Sequence, residues 1–143
     1  MDKDYEMLKL GNQLCFPLYA AARKVVALYT PYLKPLGLTY TQYIALMVLW
    51  EEREITTGDL GKRLYLDSGT LNPLLKKLSD KGIVRRERSS SDERVIMIAI
   101  TDAGLDLREK LKDVPAKIGS CVDMQQSEMK RLYDDLYEII NKA

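Results

Sequence analysis

A chain of 143 residues, 46% hydrophobic and 30% charged, has the size and balance of one folded domain and is too short for two independent cores. It contains no histidine and two cysteines, which excludes Ser-His-Asp and Cys-His catalysis and leaves too few ligands for a zinc site, so neither an enzyme nor a bound metal or cofactor is expected. Net charge is only +1, but residues 62–94 hold nine Lys/Arg against five Asp/Glu while residues 102–143 hold seven against nine, and a local basic patch is what a polyanion meets.

The start Met1-Asp2-Lys3-Asp4-Tyr5-Glu6 has no signal-peptide character. No apolar run approaches the roughly 18 residues that a bilayer span needs. Both features predict a cytoplasmic protein with no membrane partner, whose cysteines are thiols. Leu10, Leu14, Leu18, Ala21, Val25, Leu28 and Tyr32 recur at helical spacing, predicting an amphipathic helix over about 9–33. Pro35 and Gly37 end it. Thr39 is placed to cap a second helix, and Tyr43 to Trp50 is apolar nearly all round, as in a central buried helix. Ile55-Thr56 reads as an extended link. Thr57 is expected to cap a short helix with Leu60 and Leu64 facing inward. Asp67 or Ser68 caps a fourth helix whose Leu71, Leu74, Leu75 and Leu78 form one stripe, stopped by Lys81-Gly82. Ile83 to Arg88 and Arg94 to Ile100 are β-branched runs around Ser89-Ser90-Ser91-Asp92-Glu93, a hairpin. Thr101-Asp102 begins a fifth helix, which Pro115 should bend, and a last helix carries Met129, Leu132, Tyr133, Leu136 and Ile140.

This order predicts a mainly α fold with a small β-hairpin, a winged helix-turn-helix, in a single domain spanning 1–143. The part that contacts DNA would be about 55–100. Opposite its leucine stripe the fourth helix displays Ser68, Thr70, Asn72, Lys76 and Lys77: hydroxyls and an amide for base edges or phosphates, and cations for phosphates. The hairpin adds Arg85, Arg86 and Arg88 on its first strand and Arg94 beyond its tip. An arginine there fits a narrow minor groove, with Asp92 orienting it. The competing reading of these charges is an ordinary solvated face.

The stretch Leu66-Asp67-Ser68-Gly69-Thr70-Leu71-Asn72-Pro73-Leu74-Leu75-Lys76-Lys77-Leu78 and the wing Arg85 to Arg94 resemble the MarR family of bacterial regulators. The runs Asn12-Gln13-Leu14-Cys15-Phe16 and Gly37-Leu38-Thr39-Tyr40-Thr41-Gln42-Tyr43 narrow the resemblance to its organic-hydroperoxide-resistance branch. Asn72 stands where many relatives have Thr, and Thr41 where many have Pro. The resemblance implies a homodimeric repressor on a pseudo-palindromic double-stranded operator, with terminal helices (about 8–33 and 101–143) forming the dimerisation region. It also implies an organic hydroperoxide as the signal.

Cys15 read alone is a small apolar residue. In this branch the reactive cysteine is hydrogen-bonded by two tyrosines, which match Tyr29 and Tyr40. Cys15 and Tyr29 are fourteen residues apart on one expected helix, about 21 Å along its axis, so Tyr29 can reach Cys15 only from the other subunit. Tyr19 and Cys121 are further candidates for the thiol site. The resemblance permits two routes after oxidation: an intersubunit Cys15–Cys121 disulfide, or a mixed disulfide with a low-molecular-weight thiol while Cys121 only packs. The alternative function is a repressor of the same family released by a small-molecule ligand, with Cys15 not redox-active.

Overall fold

The computed structural model describes residues 3–143; Met1 and Asp2 of the polar start lie outside them. The first expected helix is not continuous. Lys3–Leu8 and Leu10–Asn12 are 3-10 turns, and only Cys15–Ala27 (α1) and Thr30–Leu33 (α2) are α-helical, before a further 3-10 turn at Lys34–Leu36. Proline sets each boundary. Pro17 falls in the first turn of α1, where no N–H is needed, and it lacks the N–H that would carry the helix back through Gln13. Pro31 likewise opens α2 and cannot bond the Ala27 carbonyl. The chain therefore tightens at Leu28 and Tyr29, whose amides reach back three residues to Val25 and Val26 at 3.1 Å each. Gly37, at φ 69°, then turns the chain in the left-handed region.

Tyr40–Glu52 (α3) is the central helix. Its start is fixed by a complete capping box: the Gln42 amide donates to Thr39 Oγ1 at 3.3 Å, and the Thr39 amide donates to Gln42 Oε1 at 3.0 Å. Thr41 therefore does not loosen the helix start. Tyr43, Ala45, Leu46, Val48 and Leu49 of α3 are buried. Glu54–Thr56 (β1) is a strand rather than a mere link. Thr57–Leu64 (α4) is capped by Thr56, one residue earlier than expected, because it is Thr56 whose hydroxyl accepts the Asp59 amide at 3.1 Å. Leu60 of α4 is buried and Leu64 is half-buried. Ser68–Asp80 (α5) starts at Asp67 and buries Leu71, Leu74, Leu75 and Leu78. Pro73 is exposed on its outer side; the carbonyl that its missing N–H would bond belongs to Gly69, which is itself exposed and open to solvent.

Val84–Arg88 (β2) and Ile96–Ile100 (β3) form the expected hairpin, and β1 adds to it in the order β1-β3-β2, all antiparallel. The register pairs Val84 with Ile100, Arg86 with Ile98 and Arg88 with Ile96, so these residues share one face: apolar at the base, basic towards the tip. Asp102–Leu111 (α6), Val114–Val122 (α7) and Gln126–Lys142 (α8) complete the chain. The expected fifth helix is broken rather than bent, because Pro115 lies in the first turn of α7 and cannot donate back to Leu111.

The core joins Leu33, Leu46, Leu49, Leu60, Leu71, Leu75, Leu78 and Ile98. Helices α1 and α8 have no share in it; neither contains a buried residue. One close approach holds α6 to the wing. A methyl group at Gly104 would collide with the Ile83 carbonyl and the Ile100 side chain. Gly104→Ala is expected to cost about 1–3 kcal/mol, read as a lowered melting temperature; an unchanged melt would contradict this packing.

Candidate functional site

The candidate DNA-contacting residues lie on α5 and the hairpin. The leucines of α5 fill the core, so Ser68, Thr70, Asn72, Lys76 and Lys77 all point outward. A concavity of about 660 Å³ runs between α4, α5 and β3, lined by Lys62, Tyr65, Ser68, Asn72 and Ile96 among others. Its walls include Ser68 and Asn72 of the expected DNA-contacting set. Tyr65 was not foreseen. It closes α4 at φ 55°, in the left-handed region that bulky residues avoid, and its ring is largely exposed at the turn between the two helices. Lys76 forms a surface ion pair with Asp80 at 3.0 Å.

The wing is organised for its tip arginine. Arg94 is 91% exposed in its side chain. Asp92 Oδ1 accepts from the Arg94 amide at 3.0 Å and from its Nε at 3.3 Å, holding the side chain while its terminal nitrogens stay open. Arg88 Nη1 donates to the Glu93 carbonyl at 2.8 Å, and the Ser89 amide donates to Val95 at 2.7 Å, so the loop is braced from inside. Arg86 and Arg88 line a smaller hollow with Ser79 of α5, which joins the hairpin's basic face to the reading helix.

Asp67 fixes where α5 begins. Its Oδ1 accepts the Thr70 amide at 2.8 Å, and hydrogen bonding to Thr70 holds its carboxyl below the usual carboxylate range. A folded-state value below the unfolded one stabilises the fold above the ordinary carboxylate range, and that contribution is lost as pH falls through the folded value. Asp67→Ala is therefore expected to melt earlier than the parent at neutral pH. The gap should close on acidification; a gap independent of pH would contradict the cap.

The thiol site is divided. Cys15 is the first residue of α1 and is exposed. Tyr19 lies one turn along on the same face, with Arg23 over its ring at 5.4 Å. Tyr29 lies beyond the far end of α1, about 20 Å from Cys15 along the axis. There it meets Tyr40, with ring centroids 5.1 Å apart. A third phenol joins them: Tyr43 lies 5.5 Å from Tyr29 and 6.1 Å from Tyr40, and its edge meets Trp50 at 6.3 Å. Sequence reasoning placed Tyr43 and Trp50 in a central buried helix and assigned neither to the thiol site. The i, i+3 spacing from Tyr40 to Tyr43 puts both rings on one face, and that was the available signal. Burial pushes the hydroxyls of Tyr29, Tyr40 and Tyr43 up from their ordinary value, so all three remain protonated donors at neutral pH. Cys121, near the end of α7, is exposed and unbridged.

Among the described residues no helix is long and apolar enough to cross a membrane, and no group of Cys, Asp and Glu is arranged to hold a metal.

Comparison with known proteins gives the same architecture. The family model for transcriptional regulator SarA/Rot matches residues 27–113. The organic hydroperoxide resistance transcriptional regulator of Bacillus subtilis is 41% identical, over 98% of this chain and 95% of its own. The solved structure of reduced AbfR bound to DNA superposes with a TM-score of 0.80 at 37% identity, covering 97% of each chain; AbfR is a Staphylococcus epidermidis protein. The disulfide-formed AbfR, at 36% identity and 96% coverage of each chain, gives a TM-score of 0.66. Overoxidized AbfR bound to DNA gives 0.79, so the present conformation is nearer to the DNA-bound forms of this relative than to its disulfide form. These relatives are regulators of transcription and not enzymes, and over nearly its whole length the chain belongs with them to the MarR family of transcriptional regulators, in its organic-hydroperoxide-resistance branch.

Proposed function

We propose that the protein is a homodimeric repressor that releases its operator when an organic hydroperoxide oxidises Cys15. In this reading residues 55–100 engage DNA, and the segments 8–33 and 101–143 form the dimer. One observation carries it: the exposed thiol and the paired phenols lie at opposite ends of α1, a helix that buries nothing within its own protomer. Its apolar side chains, with Leu14 just before it at 75% exposure, need a covering surface. So does the apolar side of α8, with Leu132, Tyr133 and Ile140. A two-fold axis that covers both can also bring Cys15 to Tyr29 and Tyr40 of the partner subunit. Each phenol then donates one hydrogen bond to the thiolate, a charge-assisted contact.

The thiolate attacks the peroxide oxygen. The O–O bond breaks, sulfur loses two electrons and becomes a sulfenic acid, and the peroxide leaves as an alcohol after taking up a proton. A second thiol then condenses with the sulfenic acid, releasing water and forming a disulfide. That thiol is the partner's Cys121 or a small cellular thiol. Either product sets a disulfide where the phenols held a small hydrogen-bond acceptor, the interface repacks, and the two wings leave the spacing of about 34–36 Å that successive major grooves require.

Mass spectrometry of cumene-hydroperoxide-treated protein under non-reducing conditions tests the chemistry. The expected product carries its modification at Cys15, as a crosslinked dimer or as an adduct when a small thiol is supplied. Unmodified Cys15 in protein that has left DNA would reject the sensor.

A further inference from the structure

We infer that Trp50 is the positioning residue through which the phenol cluster sets the seat of the wing. The inference rests on the thiol reading above and adds to it a route inside one protomer.

The contacts are continuous. Tyr43 packs against both Tyr29 and Tyr40, and its other side meets the Trp50 indole, tilted at 73° to it. The indole N–H donates to the Gly104 carbonyl at 2.9 Å, across 54 residues of sequence. Gly104 in turn donates its amide to Thr101 Oγ1 at 3.2 Å. That hydroxyl faces the Ile83 carbonyl at 2.8 Å and the Gly82 carbonyl at 2.6 Å, and the Thr101 amide donates to Ile83 at 3.1 Å. Ile83 is the last residue before β2. Gly104 is pressed so tightly on the Ile83 carbonyl that no side chain fits between them. The phenols, the end of α3, the start of α6 and the root of the hairpin therefore form one packed line.

Such a line transmits displacement because close-packed groups have few alternative arrangements. The indole has a single donor, so its bond to Gly104 is either made or broken. When Tyr29 and Tyr40 lose their thiolate, Tyr43 repacks and the indole leaves Gly104. The hairpin amplifies the result. Its tip lies about 20 Å from Val84, at about 3.3 Å per residue, so a rotation of about 5° at the root moves Arg94 by about 2 Å. A carbonyl has two lone pairs, so Gly104 retains its helical bond when the indole is absent and Trp50→Phe orphans no backbone group.

Trp50 is the only tryptophan, which makes the wild-type protein its own reporter. Two measurements are made on the full-length dimer, with cumene hydroperoxide as oxidant and a duplex that the reduced protein has selected from a random pool. In the first, oxidation should shift the tryptophan emission maximum of the wild type but not of Cys15→Ser. In the second, reduced Trp50→Phe, which lacks the indole donor to Gly104 from the outset, should bind the duplex at least tenfold more weakly than wild type and lose its Cys15 thiol at the wild-type rate, yet weaken at least tenfold less on oxidation. A merely structural tie would not separate release from thiol loss in this way. Trp50→Phe that binds as tightly as the wild type when reduced, or that weakens on oxidation as much as the wild type does, overturns the inference while leaving the sensor intact. If Trp50→Phe does not fold, the emission arm decides: release of DNA by the wild type with no change in emission overturns it. Wild-type protein that keeps its DNA with Cys15 oxidised defeats the sensor reading and this inference together.

Discussion

Cys15→Ser is expected to bind DNA as tightly as the parent and to remain bound after treatment with an organic hydroperoxide. The hydroxyl is close to the thiol in size and the residue is exposed at the head of α1, so the substitution disturbs no core packing. It is not oxidised by peroxide, so no sulfenic acid and no disulfide forms. The effect is all or none: the parent should lose affinity by orders of magnitude on oxidation, the variant by nothing. Gel shifts of the reduced and peroxide-treated pair measure it. Cys121→Ser divides the two resolving routes. If the partner's Cys121 closes the disulfide, this variant should respond only when a small thiol is supplied. Release of Cys15→Ser by peroxide would place the chemistry elsewhere. Its release by a small-molecule inducer alone would identify a ligand-operated repressor.

Arg94→Ala is expected to weaken DNA binding by about 10- to 100-fold, in line with about 1–3 kcal/mol for a well-directed arginine contact. The reason is pre-organisation. The carboxylate of Asp92 already holds the guanidinium by its Nε, so little freedom remains to be lost when the side chain enters a groove. Asp92→Ala should act in the same direction but less strongly, since the charge survives and only its aim is lost. Lys77→Ala should behave differently, weakening binding about equally on all sequences and lowering the salt dependence by about one unit of slope. Titrations at several salt concentrations separate these cases. An Arg94→Ala protein with parental affinity would remove the wing from the interface.

The likeness to reduced AbfR on DNA gives these tests a reference state. In the proposed mechanism the present arrangement of α5 and hairpin is the one that oxidation perturbs. The thermal predictions at Gly104 and Asp67 are independent of the thiol, because they depend on packing and capping within one protomer.

The sequence by itself determined what local rules govern. Helical spacing of leucines set the buried face of α5, and with it the outward direction of Asn72 and Lys77. Threonine and aspartate at the starts of α3 and α5 set those helix ends, and β-branched runs around a serine-rich turn set the hairpin. These signals act over a few residues, so they can be read along a line. Even within that range, proline outweighed periodicity: Pro17, Pro31 and Pro115 each ended a hydrogen-bond ladder that the apolar spacing alone would have continued. The break near Pro31 is what presents Tyr29 to Tyr40.

Tertiary structure alone decided what meets across long stretches of chain. Trp50 and Gly104 are 54 residues apart, and nothing in either segment points to the other. β1 became a strand because β3 supplied its partner. The third phenol joined the cluster because the turn through Gly37 lays α3 against α2, at whose start Tyr29 stands. Hydrogen bonds and ring contacts of this kind depend on how elements pack in three dimensions, and neither composition nor spacing encodes that packing.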